Sequence, residues 1–401
     1  MSSSQPPLVV VGASLAGLRA VEAARRTGHT GPITLLGAEE HLPYDRPPLS
    51  KAFLDADGST APSSYRTREQ LAELDVDLHL GSPATALDPA GHRVQVDGQW
   101  LDYAAAVIAT GATARTLPGE QLAGVHTLRT LDDARQVRAA LDAGAQTVVV
   151  GGGFIGSEVA SAAARRQVDV TVVEAAPLPL VRAVGAEMAQ ACADLHHRYG
   201  TRLLCGSGVQ RLVGTDRVEA VVLEDGTHLD ADLVVVGIGA QPATGWLAGS
   251  GLTLDDGVVC DPTLRAADGV YAAGDVARWV NPLFGTSMRL EHWTNATEQA
   301  GTAARNALDP ASATEHRAVP YFWSEWYGNK LQMVGVADGD EVHVVGGPDA
   351  LAGDQWVALF RRGDQLTGAL TLNLPGKTMK YRARIAAGGS WADALDFAGA
   401  R

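Results

Sequence analysis

The sequence predicts an α/β chain in which two units of alternating strands and helices on parallel sheets are followed by a smaller α+β domain. Three observations predict it. A β-branched run that breaks into a glycine-rich turn opens the chain at Leu8–Val11 and occurs again at Thr147–Val150. Each turn leads into an alanine-rich helical stretch, then a second apolar run closed by an acid. From Glu315 onward the pattern changes to an aromatic-rich entry and short alternating segments, which mark strands of a different kind of domain.

In the first unit, Leu8–Val11 ends in Gly12-Ala13-Ser14-Leu15-Ala16-Gly17, a helical stretch runs to Arg26, and the strand Ile33–Leu36 is followed by Glu39. In the second, Thr147–Val150 ends in Gly151-Gly152-Gly153-Phe154-Ile155-Gly156, a helix runs to about Arg166, and Val170–Val173 is followed by Glu174. Strand, glycine turn, helix, strand and acid make up the dinucleotide-binding fingerprint in its required context. The first glycine permits the tight turn, the second lets backbone approach a pyrophosphate, and the third lets helix and strand pack closely. The helix N-terminus offers its N–H groups to phosphate, and the acid accepts from a ribose hydroxyl. Ser14 stands at the middle glycine position of the first copy. It is small and can itself donate to a phosphate oxygen.

Two Rossmann-like units imply two nucleotides. Val107-Ile108-Ala109-Thr110-Gly111 and Leu233–Gly239 read as buried strands ending in glycine, which assigns Thr110, Gly111 and Gly239 to the cofactor sites. Gly269–Ala273 is another apolar strand, ending in Gly274-Asp275, where an acid is placed to hold a polyol hydroxyl. The last region reads as strands at Gln332–Val336, Val342–Val345, Trp356–Arg361 and Gln365–Leu372, then a helical tail from Lys377.

Composition narrows the function classes. Among 401 residues, 32 Lys+Arg stand against 46 Asp+Glu, a net charge of −14, which disfavours a nucleic-acid partner. Three cysteines, Cys192, Cys205 and Cys260, form no C-x-x-C, so neither a zinc site nor a redox dithiol is expected. No metal site is predicted. The apolar runs are strand-length, short of the ~20 residues of a membrane helix. Met1–Pro7 has neither a basic nor an apolar targeting segment, so a cytoplasmic location away from membranes is expected.

Longer motifs carry a narrower likeness. Leu42-Pro43-Tyr44-Asp45-Arg46-Pro47-Pro48-Leu49-Ser50-Lys51, Arg289-Leu290-Glu291-His292-Trp293-Thr294-Asn295-Ala296 and Val319–Ser324 resemble the FAD-dependent NADH:ferredoxin reductases of oxygenase systems. This family lies within the two-dinucleotide-binding-domain flavoproteins. The resemblance implies a glutathione-reductase-like fold with an FAD-binding domain at 1–113 and 243–316, an NAD-binding domain at 114–242 and a C-terminal domain at 317–401. It implies Gly12, Ser14, Ala16 and Gly17 at the FAD pyrophosphate, Glu39 at the adenosine ribose, and Arg46 and Arg129 near the phosphates. Asp275 is expected at the ribityl chain and Trp293 at the flavin pyrimidine end. Gly151, Gly153 and Gly156 are expected at the NADH pyrophosphate, with Ile155 and Glu158 near the nicotinamide. Trp323 is expected on a surface close to the flavin. Relatives commonly read Trp-Ser-Asp-Gln where this chain has Trp323-Ser324-Glu325-Trp326, which alters the contacts expected at the flavin edge and partner surface.

Lys51 is the only lysine in the first 329 residues of a chain that otherwise uses arginine. A compact point charge in a stiff Pro-Pro segment suits the N5/O4 side of a reduced flavin, and the family places it there with Glu158 as ion-pair partner. Glu174 suits a 2′-hydroxyl and repels a 2′-phosphate, predicting NADH over NADPH, although Arg165, Arg166 and Arg182 lie nearby in sequence. The expected activity is transfer of hydride from NADH to FAD and of single electrons to a [2Fe–2S] ferredoxin feeding a monooxygenase or dioxygenase. A rubredoxin reductase and an NADH-sensing flavoprotein like apoptosis-inducing factor remain alternatives. From Arg361 to Arg384 the chain carries Arg361, Arg362, Lys377, Lys380, Arg382 and Arg384 against Asp364 alone, a local +5 that predicts a docking patch for an acidic ferredoxin.

Overall fold

The computed structural model describes residues 5–118 and 121–399, so the first four residues of the Met1–Pro7 stretch lie outside it. The chain divides into two compact units. One comprises the chain up to Asp45, Ser63–Thr113 and Gln241–Pro320; the other comprises Arg46–Pro62, Ala114–Ala240 and the chain from Tyr321.

The first unit is built on a six-stranded sheet in the order Arg265–Ala267, Val270–Ala272, Ala105–Ile108, Leu8–Val11, Ile33–Leu36, Asp77–His79. Its strands are parallel except for the first pair. All four residues of Leu8–Val11 and of Ala105–Ile108 are buried, the unbroken apolar run required of a central strand covered on both faces. Two helices, Leu15–Arg26 and Trp293–Leu308, pack against each other. Buried alanines, including Ala20, Ala24, Ala300 and Ala304, let them approach closely.

The second unit contains a five-stranded parallel sheet in the order Arg202–Cys205, Val170–Glu174, Thr147–Val150, Leu233–Val236, Val125–Thr127. It also contains an antiparallel five-stranded sheet in the order Tyr321–Trp326, Asn329–Gly335, Gln365–Leu372, Trp356–Arg362, Glu341–Val344. The aromatic-rich entry is therefore itself a strand. The tail is two helices, Pro375–Ala386 and Trp391–Gly399.

Two boundaries differ from the sequence expectation, each for a physical reason. The C-terminal sheet joins the second unit because Trp326, Leu331, Phe360 and Leu370 share one apolar core with Met188, Cys192 and Leu195 of the helix Ala186–Arg198. Segment 46–62, placed by sequence in the first domain, also belongs to the second unit because arginines hold its carbonyls. Arg138 Nη1 donates to Phe53 O at 2.6 Å and Gly58 O at 3.0 Å, and Arg166 donates to Leu54 O. An irregular segment without such donors would leave buried carbonyls unpaired.

Candidate active site

The two glycine turns are built alike, each within its own unit. Gly12 N–H donates to Leu36 O at 2.7 Å, and Gly151 N–H donates to Val173 O at 2.7 Å. Both glycines are left-handed, with φ of +118° and +106°. A Cβ on Gly12 would lie 2.2 Å from Ala109 O, and one on Gly151 would lie 2.4 Å from Gly237 O. Only glycine satisfies both the torsion and the approach. Gly17 and Gly156 then bring each helix onto its turn, where a side chain would strike the carbonyls of Gly12 and Gly151. Neither the helix Leu15–Arg26 nor the helix Phe154–Arg165 has an acid in its first turn. Gly153, the N-cap of the second, has no side chain to occupy the N–H groups. Both ends thus offer the bare, positive backbone that a pyrophosphate requires. Ala109 and Gly237, which close the two turns, were not singled out from the sequence. They are recognisable only as the residue before Thr110-Gly111 and two before Gly239. Gly111 and Gly239 are themselves equivalent left-handed positions.

In the first unit, Gly274 has φ +79°, donates its N–H to Gln299 Oε1 at 2.9 Å, and faces Ala16 so closely that a Cβ would come within 3.1 Å of that methyl. Asp275 is thereby held beside the first glycine turn. Thr110 Oγ1 donates to Ala243 O at 3.0 Å. Glu39 accepts from Tyr44 Oη at 2.6 Å. Trp293 Nε1 donates to Asp45 Oδ1 at 2.9 Å, and Tyr65 Oη donates to the same oxygen at 2.6 Å. Burial, reinforced by Asp45, pushes the Tyr65 phenol far up, so it remains a donor. Tyr65 and Asp45 were missed by sequence reasoning, although Asp45 lies inside the quoted Leu42–Lys51 motif.

In the second unit, Arg46 Nη1 donates to Arg129 O at 2.8 Å, placing the two expected phosphate-binding arginines side by side. Glu174 accepts from Gly152 N–H and Ala176 N–H, both at 2.8 Å. The carboxylate fastens its strand to the glycine turn and keeps lone pairs for a ribose. Of the nearby arginines, Arg165 is held by Ser161 Oγ at 2.8 Å and by Asp55, and Arg166 by Asp142 at 2.9 Å and by Leu54 O. Ile155 is 39% exposed at the start of the helix, an apolar face left open beside the turn.

Lys51 Nζ donates to Glu158 Oε2 at 2.9 Å and to Pro47 O at 3.2 Å. Glu158 is 2% exposed and is saturated with donors. Ser50 Oγ donates to Oε2, Ser324 Oγ to Oε1, and Glu325 N–H reaches Oε1 at 3.4 Å. One helical position earlier, Ser157 Oγ donates to Gly153 O at 2.8 Å and lies 3.1 Å from His196 Nε2. A carbonyl can only accept, so Nε2 carries the proton and donates to Ser157. His196 Nδ1 lies 2.8 Å from Tyr327 Oη. Burial pushes this imidazole down to about 4, so it is neutral.

Trp326 is 1% exposed and stacks on His196 with centroids 5.4 Å apart, so it belongs to the core and not to a partner surface. Glu325 is exposed and pairs with Lys330 at 3.6 Å. In the basic segment, Arg361 pairs with Glu341 at 2.7 Å and Arg362 with Asp338 at 2.6 Å, acids that the 361–384 window does not contain. The remaining cations lie on the helix Pro375–Ala386, where Arg384 covers the Phe397 ring at 3.8 Å and Arg382 lies over Tyr321 at 6.0 Å.

Comparison with known proteins decides the family. The family model for pyridine nucleotide-disulphide oxidoreductases matches residues 6–300, and the reductase C-terminal model matches residues 321–397. The chain belongs to the pyridine nucleotide-disulphide oxidoreductase family. It is similar to rhodocoxin reductase of Rhodococcus erythropolis, with 36% identity over 94% of this chain and 89% of the relative. It is also similar to the biphenyl dioxygenase system ferredoxin–NAD(+) reductase component of Paraburkholderia xenovorans (strain LB400), with 39% identity over 91% and 89%. Among solved structures, the covalent putidaredoxin reductase–putidaredoxin complex matches with TM-score 0.91 and 32% identity over 96% of this chain and 94% of that one. The chain is an oxidoreductase of the FAD- and NAD(H)-dependent type. No described helix is long and apolar enough to cross a membrane.

Proposed function

We propose that this protein is an NADH-dependent ferredoxin reductase that moves electrons from NADH through FAD to a [2Fe–2S] ferredoxin serving a monooxygenase or dioxygenase. The observation that carries this reading is the pair of glycine turns in a chain without a redox dithiol. All three cysteines are free, and burial pushes Cys192 and Cys260 up to about 12, which keeps them as inert thiols. Flavin, when bound, supplies the conversion of a two-electron hydride donor into one-electron transfers.

The chain's own residues bind, orient and stabilise charge. Gly12, Ser14, Ala16, Gly17, Thr110, Gly111 and Asp275 would hold FAD from the first unit, with Glu39 at its ribose and Trp293 at its pyrimidine end. Arg46 and Arg129 would meet its phosphates. Gly151, Gly153, Gly156 and Gly239 would hold NADH, with Glu174 at the ribose and Ile155 against the nicotinamide. Lys51 would supply a cation beside the flavin, and Glu158 holds the Lys51 ammonium in place. Lys377, Lys380, Arg382 and Arg384 form the docking face for an acidic ferredoxin, while Arg361 and Arg362, already paired, contribute little charge.

Anaerobic mixing of the holoenzyme with NADH and candidate [2Fe–2S] ferredoxins tests the proposal. Rapid flavin bleaching followed by ferredoxin reduction is the expected result. Fast bleaching with no ferredoxin reduced overturns it, and preferential reduction of rubredoxin would replace it.

A further inference from the structure

Trp326 sits two residues from Ser324 on the same face of the strand Tyr321–Trp326. Its Nε1–H donates to Ser324 Oγ at 2.6 Å, and Ser324 Oγ in turn donates to Glu158. An indole N–H has no acceptor capacity, and a serine hydroxyl has one proton. The carboxylate accepts the one serine proton, and the indole N–H takes a lone pair of the same oxygen, so Trp326 fixes where Ser324 Oγ lies. Ser324 is 0% exposed and Trp326 1%, so water does not compete for either group.

We propose that Trp326 is a positioning residue that locks Ser324 as a donor to Glu158 and thereby holds the Glu158 carboxylate, and Lys51 with it, in one orientation. The lock is rigid because the indole is itself fixed. It stacks on His196, which is tied to Ser157 at 3.1 Å and Tyr327 at 2.8 Å, and Tyr327 N–H is held by Ser161 Oγ at 2.7 Å. Segment 324–327 therefore grips the helix Phe154–Arg165 directly at Glu158 and Ser161, and at Ser157 through His196. The other charged groups around Glu158 are accounted for: Lys51 is its partner, Glu325 turns to Lys330, Arg165 is bound to Asp55, and His196 is neutral.

This inference rests on the role given to Lys51 above, and its test separates the two. Holoenzymes carrying Trp326→Phe, which keeps a ring but loses the N–H, and Trp326→Gln, which restores a donor, are compared by crystal structure and by rapid flavin reduction with NADH. In Trp326→Phe the Ser324 hydroxyl turns away and the Lys51–Glu158 contact lengthens. The limiting reduction rate falls about tenfold, with NADH affinity unchanged, as expected for a misplaced group. Trp326→Gln recovers both. Unmoved Ser324 and Lys51 side chains in Trp326→Phe overturn the lock whatever the rate does, as does a glutamine variant as disturbed as the phenylalanine one. Displaced side chains with an unchanged rate establish the lock and overturn instead the role of Lys51.

Discussion

Lys51 Nζ and Glu158 Oε2 lie 2.9 Å apart although 107 residues separate them in the chain. Removal of the cation leaves a buried carboxylate with only neutral donors from Ser50, Ser324 and the Glu325 amide. Lys51→Ala is therefore expected to cost about 3 kcal/mol of stability, the range for breaking a buried pair. Denaturant unfolding of the holoenzyme checks this. A loss below ~1 kcal/mol would mean that the pair behaves like an exposed one.

With Glu174 at the end of its strand and Arg165 and Arg166 engaged in other contacts, NADH is the expected nucleotide. kcat/KM with NADH should exceed that with NADPH by at least about tenfold, equivalent to ~1.4 kcal/mol. Steady-state assays with both nucleotides decide it, and equal values would refute the assignment of Glu174.

Acid should destabilise both units through buried imidazoles. Burial pushes His196 and His316 down from 6.5 to about 4. Between those values the unfolded chain binds protons that the folded chain does not, so stability is full above pH 6.5 and is lost as pH falls toward about 4. Each histidine contributes at most ~3 kcal/mol of this loss. Urea unfolding at about pH 7 and about pH 4.5 measures it, and His196→Gln should flatten the decline.

Charge reversal on the helix Pro375–Ala386 tests the docking face. Arg382→Glu with Arg384→Glu should raise the ferredoxin KM about tenfold and flatten its salt dependence while sparing ferricyanide reduction. Because Arg384 also covers Phe397, Arg384→Gln is the companion that separates charge from packing. A ferredoxin KM unchanged in the double reversal would exclude this face.

The parts of the fold written in local rules were legible in the sequence. A left-handed turn with carbonyls 2–3 Å from the missing side chain admits only glycine, so Gly12 and Gly151 announce themselves. The central strands do so through unbroken apolar runs. What escaped was settled across space. Ser50 and Ser324 are ordinary serines until the fold brings them to Glu158. The acids that neutralise Arg361 and Arg362 come from the paired strand Glu341–Val344 and from Asp338 just before it, outside the 361–384 window. The role of Trp326 was not legible either: strand alternation puts it on the same face as Ser324, but only the fold shows that this face is buried.

The exit and return of the chain at the edge of the first unit have a practical meaning. Thr113 Oγ1 reaches Gln241 O at 3.5 Å, and Thr110 Oγ1 reaches Ala243 O at 3.0 Å. Residues 114–240 thus leave and re-enter at a single seam, as an interchangeable cassette would. Grafting the corresponding stretch of a relative between Thr113 and Gln241 should transplant nucleotide choice without disturbing the flavin-binding unit. The graft must retain Ser157, Glu158, Ser161 and His196, and with them Arg138, Arg165 and Arg166, which are among the side chains that tie the cassette to segments 46–62 and 324–327 of its own unit.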